Sequence, residues 1–285
     1  MKPLNTLIRK LDTWQQRHHL SAVTVAVIKK FGEDGAGQQA ALLTYYTFLS
    51  LFPLLLVLTT LTSVIASSHP QIQQDIIRST TNYFPVLGSQ LSNHIHTLHK
   101  NGVALLIGII LTLYGARGVA DAFRRGVQHI WHVPKAQRIG FPKTVPHSLM
   151  LIVVGGLGFI GASIFTGLAA AAGHGWLFRV LSVGVNLFML FWLFTFLLVV
   201  CLPSHISIKD TRSGALSAAA GLVLLQGLGG YLLKTELQRL DALYSYFAIA
   251  LGLLFWIYLQ ARVLYYAVTL AAVHTQHLWP RSISE

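Results

Sequence analysis

Carboxylates are the side chains with which this sequence could build acid–base or metal-dependent catalysis. A metal-assisted hydrolase needs several carboxylates and histidines that converge on one point. The 285-residue chain has nine carboxylates, and none lies in the middle of an apolar run. We therefore expect no catalytic residue, and we expect that the chain is not an enzyme. The nine are Asp12, Glu33, Asp34, Asp75, Asp121, Asp210, Glu236, Asp241 and Glu285.

Histidines are numerous but do not form the spacing of a metal site. His129 and His132 are three residues apart, and so are His274 and His277, so each pair could share one face of a helix. A zinc site needs at least a third protein ligand. No such ligand accompanies either pair, and the sequence predicts neither a metal nor any other cofactor.

Basic residues flank or enter the apolar runs. An arginine at bilayer depth costs a few kcal/mol unless it reaches the interface or finds a partner. Two interpretations stay open: the bases only set the orientation in the membrane, or they form a cavity that binds an anion or a phospholipid headgroup. The candidate residues are Arg117, Arg124, Lys209 and Arg262, with Asp121 and Asp210 as their expected carboxylate partners.

Aromatic and hydroxyl side chains complete the candidate substrate-binding set. Tyr45 and Ser50 precede Pro53 in the first long apolar run, and Trp256 and Tyr258 lie in the last. Proline removes a backbone donor and leaves a carbonyl one turn earlier without its partner. The proline therefore indicates either a bend made for packing or a broken helix that builds a binding site.

The elements that position these residues are membrane-spanning helices. The chain is 54% apolar and 11% charged, against roughly 25% charged in soluble domains. A span needs about 20 mostly apolar residues. The sequence predicts an all-α membrane bundle of six transmembrane helices, at about 39–66, 103–114 with a polar continuation to 124, 148–172, 180–202, 214–233 and 242–274.

Lysine and arginine positions predict the orientation. Fifteen lie in segments 1–37, 115–145, 203–213 and the C-terminal tail, and five lie in the alternate connections. The positive-inside rule then places both termini in the cytoplasm. The same rule accounts for the net charge of +12, so we expect no nucleic-acid partner.

The domain organisation follows from these spans. We predict one membrane domain, with a cytoplasmic amphipathic segment over 1–37, the bundle over 38–274 and a cytoplasmic tail over 275–285. Interfacial helices are expected near 4–14 and, as two short pieces, near 72–77 and 87–98. No further domain is predicted.

Small residues recur in the third and fifth spans and predict close helix packing there. Gly155, Gly158 and Gly161 mark the third span, and Gly214 and Gly221 mark the fifth. The fourth span is bulky on all sides, so we expect it to face lipid more than the others do.

Four motifs in order resemble the YihY/BrkB family of bacterial inner-membrane proteins, once labelled ribonuclease BN. Ala41 to Leu54 is similar to the signature of the first span, and Gly118 to Trp131 to the helix after the second. The step from Leu202-Pro203 through Lys209-Asp210 to Gly214-Ala215 is similar to the entry into the fifth span. Trp256-Ile257-Tyr258 is similar to the last. The resemblance covers about 31–273.

The resemblance implies a six-helix protein of the bacterial inner membrane, of the group also called UPF0761. Members are described as transporters or linked to virulence, without an accepted substrate. One departure is that members commonly carry Gly-Ala-Glu where this chain has Tyr266-Ala267-Val268. A mechanism that depends on that glutamate is not expected here.

Three functions follow as hypotheses. The leading one is a transporter or lipid-handling protein for an anionic or amphipathic molecule, such as an anionic phospholipid or a glycolipid. The second is the family's historical ribonuclease label, for which the sequence offers no acid–base set. The third is a membrane scaffold linked to envelope integrity. A homo-oligomer is left open, and the lipid bilayer is the expected partner.

Overall fold

The computed structural model describes residues 19–66, 102–138, 144–171, 176–203, 206–236 and 245–281. Within these ranges the chain is helical and contains no strand. The helices are α1 (His19–Glu33), α2 (Ala36–Ala66), α3 (Gly102–Ile130), α4 (Thr144–Ala171), α5 (Trp176–Cys201), α6 (Ile208–Glu236) and α7 (Ser245–Thr275), with a short 3-10 turn at Lys135–Gln137.

Each of the six predicted spans corresponds to one helix, α2 to α7, and the all-α expectation is confirmed. Four stretches of the described residues are long and apolar enough to cross a membrane: 106–130, 144–162, 176–201 and 250–275. They belong to α3, α4, α5 and α7. That α2 and α6 also cross, making six spans, stays a prediction, as does the orientation of the termini.

The six long helices form a closed ring in which each packs against its neighbours in chain order and α7 returns to α2. Contact between α3 and α4 is much smaller than between the other neighbours. The ring therefore has one weak seam, between α3 and α4. The helix α1 lies outside the ring, mainly against α7.

Glycines bring several of these helices together. A side chain at Gly115 or Gly118 of α3 would overlap Ser50 or Tyr46 of α2. Gly214 and Gly221 of α6 meet Ala267 and Val263 of α7 in the same way. Close packing of the fifth span is thus confirmed. On α4 only Gly158 makes such a contact, with Leu193, so most of the predicted packing there is absent from the described residues.

The expectation that the fourth span faces lipid more than the others is wrong. In the apolar stretch of α5, 39% of an 18-residue segment is buried, against 18% of the corresponding segment in α4. Leu190, Phe194 and Leu198 of α5 belong to the main core. Since lipid and protein core are equally apolar, a helix that is apolar on all sides does not reveal which side is packed.

A sharp break separates α1 from α2. Gly35 adopts φ +58°, in the left-handed region that glycine enters at no steric cost. Val23 and Val27 of α1 pack with Val273, and Phe31 stacks on Tyr266 with ring centroids 3.8 Å apart. Part of the predicted cytoplasmic segment is therefore packed against the bundle. The interfacial helices predicted at 4–14, 72–77 and 87–98 lie outside the described residues.

Candidate functional site

Asp121 is the centre of a charged cluster on α3. Its Oδ1 accepts hydrogen bonds from Arg124 Nη2 at 3.0 Å and from the Ser148 hydroxyl of α4 at 2.5 Å. Arg117 Nε lies 3.8 Å from Oδ2, but its side chain is 48% exposed. An exposed pair at that distance contributes little to stability. The cluster therefore depends on the contacts of Asp121 with Arg124 and Ser148.

The position of this cluster suggests what it does. Ser148 is the partner of Asp121 across the weak seam between α3 and α4. One turn beyond Arg124, the Gln128 side chain donates to the Cys201 carbonyl of α5 at 3.0 Å. Hydrogen bonds that cross between helices stabilise a bundle in lipid. The charged end of α3 thus holds α4 and α5 in the ring.

Asp210 does not pair with a base among the described residues, contrary to the expectation. Its Oδ2 accepts from the backbone N–H of Ser207 at 2.8 Å, while the Ser207 hydroxyl accepts from the N–H of Lys209 at 3.1 Å. This reciprocal pattern is a capping box at the start of α6. A capped helix end explains these residues, and the side chain of Lys209 is exposed.

Arg262 lies in the apolar stretch of α7 and is half-buried. Its Nη2 donates to the Tyr266 hydroxyl at 3.2 Å, and its buried Nε has no acceptor. Across the described residues, no carboxylate comes within ion-pair distance of this guanidinium. Arg262 is thus a cation whose polar contact is one neutral hydroxyl.

Aromatic rings surround Arg262 but do not neutralise it. The guanidinium carbon is 5.6 Å from the ring centroids of both Phe31 and Tyr266, and 5.8 Å from that of Tyr258. Because the first two rings stack 3.8 Å apart, equal distances place the cation midway between them and beside the pair. Cation–π attraction requires a position over the ring face. These two rings therefore stabilise the charge only weakly.

The candidate residues of α2 belong neither to the Asp121 cluster nor to the described contacts of Arg262. Tyr45 is exposed, with its ring edge-to-face against Tyr46. The Ser50 hydroxyl donates to the Thr47 carbonyl at 2.9 Å, and Pro53 lies inside an unbroken α2. On α7, Trp256 is buried against Gly229 of α6. These contacts fit helix packing.

Sequence reasoning missed several partners that the structure brings into contact. The Ser148 hydroxyl is a partner of Asp121, and the Tyr266 hydroxyl is a partner of Arg262. The Phe31 ring, from α1, also lies near Arg262. Asn186 of α5 donates to the side-chain carbonyl of Gln226 of α6 at 3.0 Å. The signal for this last pair was two amides inside otherwise apolar spans, where polar side chains seek each other.

A further polar group joins α1 to the end of α3. Lys30 Nζ lies 2.8 Å from Asp34 Oδ2, and His132 Nε2 lies 2.8 Å from Asp34 Oδ1. His129 Nε2 contacts the Asp34 backbone carbonyl at 3.0 Å. The described residues contain no group of three His, Cys, Asp or Glu side chains that could hold a metal.

Comparison with known proteins gives a consistent assignment. The family described as virulence factor BrkB matches residues 27–282. The chain is 24% identical to the inner membrane protein YhjD of Escherichia coli (strain K12), over 87% of this chain and 79% of the relative. It is 26% identical to the ribonuclease-like protein YfkH of Bacillus subtilis (strain 168), over 78% and 84%.

A third relative is longer than this chain. It is a UPF0761 membrane protein of Psychrobacter sp. (strain PRwf-1), 26% identical over 90% of this chain but only 49% of the relative. No solved structure matches. With a family match across nearly all of the bundle and relatives named as membrane proteins, the chain belongs to the BrkB family of membrane proteins.

Proposed function

We propose that this protein binds an anionic amphiphile in the inner membrane and moves or presents it. The observation that carries the proposal is Arg262, a half-buried cation without a carboxylate partner among the described residues. A buried arginine in a membrane helix is costly, and it is commonly kept for a ligand or a pathway. An anionic group of a ligand would supply the missing partner, since guanidinium and phosphate or carboxylate match in charge and geometry.

The proposed topology supports this use of Arg262. Six spans with both termini in the cytoplasm would place the bases at the end of α3 and the start of α6 at the cytoplasmic leaflet, with Arg262 deeper, midway along the apolar stretch 250–275 of α7. Anionic headgroups in that leaflet are attracted to basic side chains near the interface. The proposed ligand is therefore drawn from the cytoplasmic leaflet and reaches Arg262 below it, and no chemical step on the ligand is part of the proposal.

The test is binding and movement of a labelled anionic phospholipid by the purified protein in liposomes. Wild type should bind it and exchange it between leaflets. Arg262→Gln should lower the affinity about tenfold or more, because a hydrogen bond to a charged group contributes roughly 1.5 to 3 kcal/mol.

The matched control is Arg212→Gln, which removes the same charge from an exposed position on α6. It should behave as wild type. If wild type neither binds nor moves the lipid, or if the two variants behave alike, the proposal is wrong.

Ribonuclease activity is the second candidate, because one relative is named ribonuclease-like. The described carboxylates weigh against it. Asp34 pairs with Lys30, Asp121 pairs with Arg124, and Asp210 caps α6. Cleavage of RNA by the pure protein with an added divalent metal, lost in Asp210→Asn, would support this candidate over the first. The asparagine keeps a capping oxygen, so loss of activity would not simply reflect an uncapped helix.

A further inference from the structure

A groove of about 310 Å³ lies between α1, α6 and α7. Its walls are apolar apart from three hydroxyl-bearing side chains. It is lined by Val23, Thr24, Val27 and Ile28 of α1, by Ser217 of α6, and by Val263, Tyr266, Ala267 and Leu270 of α7.

The groove results from the way small residues pack α6 against α7. Gly214 and Gly221 bring the α6 backbone against Ala267 and Val263. Ser217 lies between these two contacts on the same face, and its hydroxyl donates to the Gly214 carbonyl at 2.9 Å. The hydroxyl hydrogen is thus used within α6. The floor of the groove consequently offers little polarity to a ligand.

Arg262 does not line the groove, but it contacts one of the lining residues. Tyr266 lines the groove and is also the hydroxyl partner of Arg262, which precedes it by one turn on the same face of α7. An apolar groove whose lining tyrosine binds a guanidinium with no carboxylate partner among the described residues is complementary to a molecule with an apolar chain and one anionic end. A neutral apolar chain would fill the groove but would give the Arg262 guanidinium no anionic partner.

We propose that this groove binds a single apolar chain whose anionic end group contacts Arg262 and the Tyr266 hydroxyl. The inference rests on the proposed function and specifies its ligand site. A volume near 310 Å³ is at the small end of ligand pockets, so the groove takes one chain and not both chains of a phospholipid. A fatty acid, a lysophospholipid or one chain of a diacyl lipid shares this chemistry.

The experiment is a titration of the full-length protein in neutral detergent with dansyl-labelled undecanoic acid, followed by its fluorescence. Competitors distinguish the sources of the ligand: lysophosphatidic acid, a diacyl phosphatidic acid, inorganic phosphate and undecanol. We expect the first to displace the probe, the second to displace it more weakly, and phosphate or undecanol alone to require at least tenfold higher concentrations.

Two variants test the contribution of the groove to probe binding separately from that of the Arg262 charge. Thr24→Trp places an indole at the exposed rim of the groove and should lower probe affinity at least tenfold. Leu216→Trp adds the same ring to an exposed position of α6 outside the groove and should leave affinity unchanged. Thermal melting of both variants checks that they fold.

The outcomes are distinguishable. Loss of binding in Arg262→Gln with wild-type binding in a folded Thr24→Trp overturns the groove but leaves the proposed function intact. Equal displacement by undecanol and by undecanoic acid overturns the assignment of the charged end. Absence of probe binding to wild type, together with absence of lipid binding in liposomes, overturns both proposals.

Discussion

Arg124 on α3 and Arg262 on α7 both lie within apolar, membrane-length stretches of the bundle, and their surroundings differ. Arg124 is 6% exposed and donates to Asp121, which also binds Ser148 across the weak seam. Arg262 is more exposed, and among the described residues its polar partner is the Tyr266 hydroxyl, with aromatic rings around it. Each also has one buried nitrogen without an acceptor, Nη1 in the first and Nε in the second.

The difference between the two arginines is that Arg124 pairs with the carboxylate of Asp121, whereas Arg262 has no carboxylate partner among the described residues. A buried charge that is paired inside the protein serves the fold, because removing its partner leaves an uncompensated ion. A charge left without a carboxylate is open to an anion from outside. On the function proposed above, Arg124 therefore serves the structure of the ring and Arg262 serves the ligand.

The largest expected effect comes from breaking the paired site. Asp121→Asn removes the negative charge beside Arg124 and weakens the hydrogen bond from Ser148. We expect a loss of about 3 kcal/mol in the free energy of unfolding, since breaking a buried pair by removing one partner costs about 3 to 5 kcal/mol and Asp121 is partly exposed. Denaturant unfolding in detergent, followed by tryptophan fluorescence, measures it.

Arg262→Gln is the control for this comparison. Its unfolding free energy should stay within about 1 kcal/mol of wild type, because no buried carboxylate in the described bundle loses a partner. Equal losses in the two variants would remove the distinction between a structural and a ligand-binding arginine.

Most of the fold could be predicted from the sequence, because apolar runs of membrane length determine where helices lie. The run predicted at 214–233 is part of α6, and the run at 242–274 is nearly the whole of α7. The pairing of Asp121 with Arg124 was also predictable, since three residues separate them on one helix.

The partners from other helices could not be predicted. Ser148 meets Asp121, and Phe31 meets Tyr266, only because of the rotation and relative height of packed helices. In a membrane bundle both lipid and core are apolar, so the sequence pattern gives little information on rotation. The pairing predicted for Asp210 failed for a different reason, since the capping role depends on the local turn at Ser207.

A second prediction concerns a substitution that gives Arg262 a carboxylate partner within the protein. Tyr258→Glu places a carboxylate one turn before Arg262, the orientation in which a helical ion pair is most favourable. The new carboxylate should compete with the ligand and lower affinity for the anionic probe about tenfold or more, because a close charge pair near a protein surface is worth a few kcal/mol.

Tyr258→Gln is the matched control, since it removes the same ring and adds a side chain of equal length without the charge. Because the Tyr258 ring lies 5.8 Å from the Arg262 guanidinium carbon, this control measures what the loss of the ring costs, and Tyr258→Glu should weaken probe binding well beyond that cost. If both substitutions weaken binding equally, the new carboxylate has no effect of its own, and the prediction that it competes with the ligand for Arg262 is wrong.

The smallest expected effect comes from breaking a neutral pair, Asn186 with Gln226, for comparison with the charged pair of Asp121 and Arg124. Asn186→Leu removes the hydrogen bond to Gln226 and leaves that amide in an apolar setting between α5 and α6. Hydrogen bonds between membrane helices average about 0.6 kcal/mol and reach about 1.7. We expect a loss of about 1 kcal/mol in the free energy of unfolding, well below that of Asp121→Asn.

The double variant Asn186→Leu with Gln226→Leu gives the sharper result. Asn186 already has a buried side-chain oxygen without a donor, so replacing both amides removes that unpaired oxygen as well as the pair. Replacing both partners of a hydrogen bond by apolar groups is often nearly neutral, whereas removing one is not. The double variant should therefore regain most of the stability that Asn186→Leu loses. If it is instead less stable than Asn186→Leu in the same unfolding assay, the amide pair contributes more than one hydrogen bond, and polar contacts in this ring cannot be ranked by charge alone.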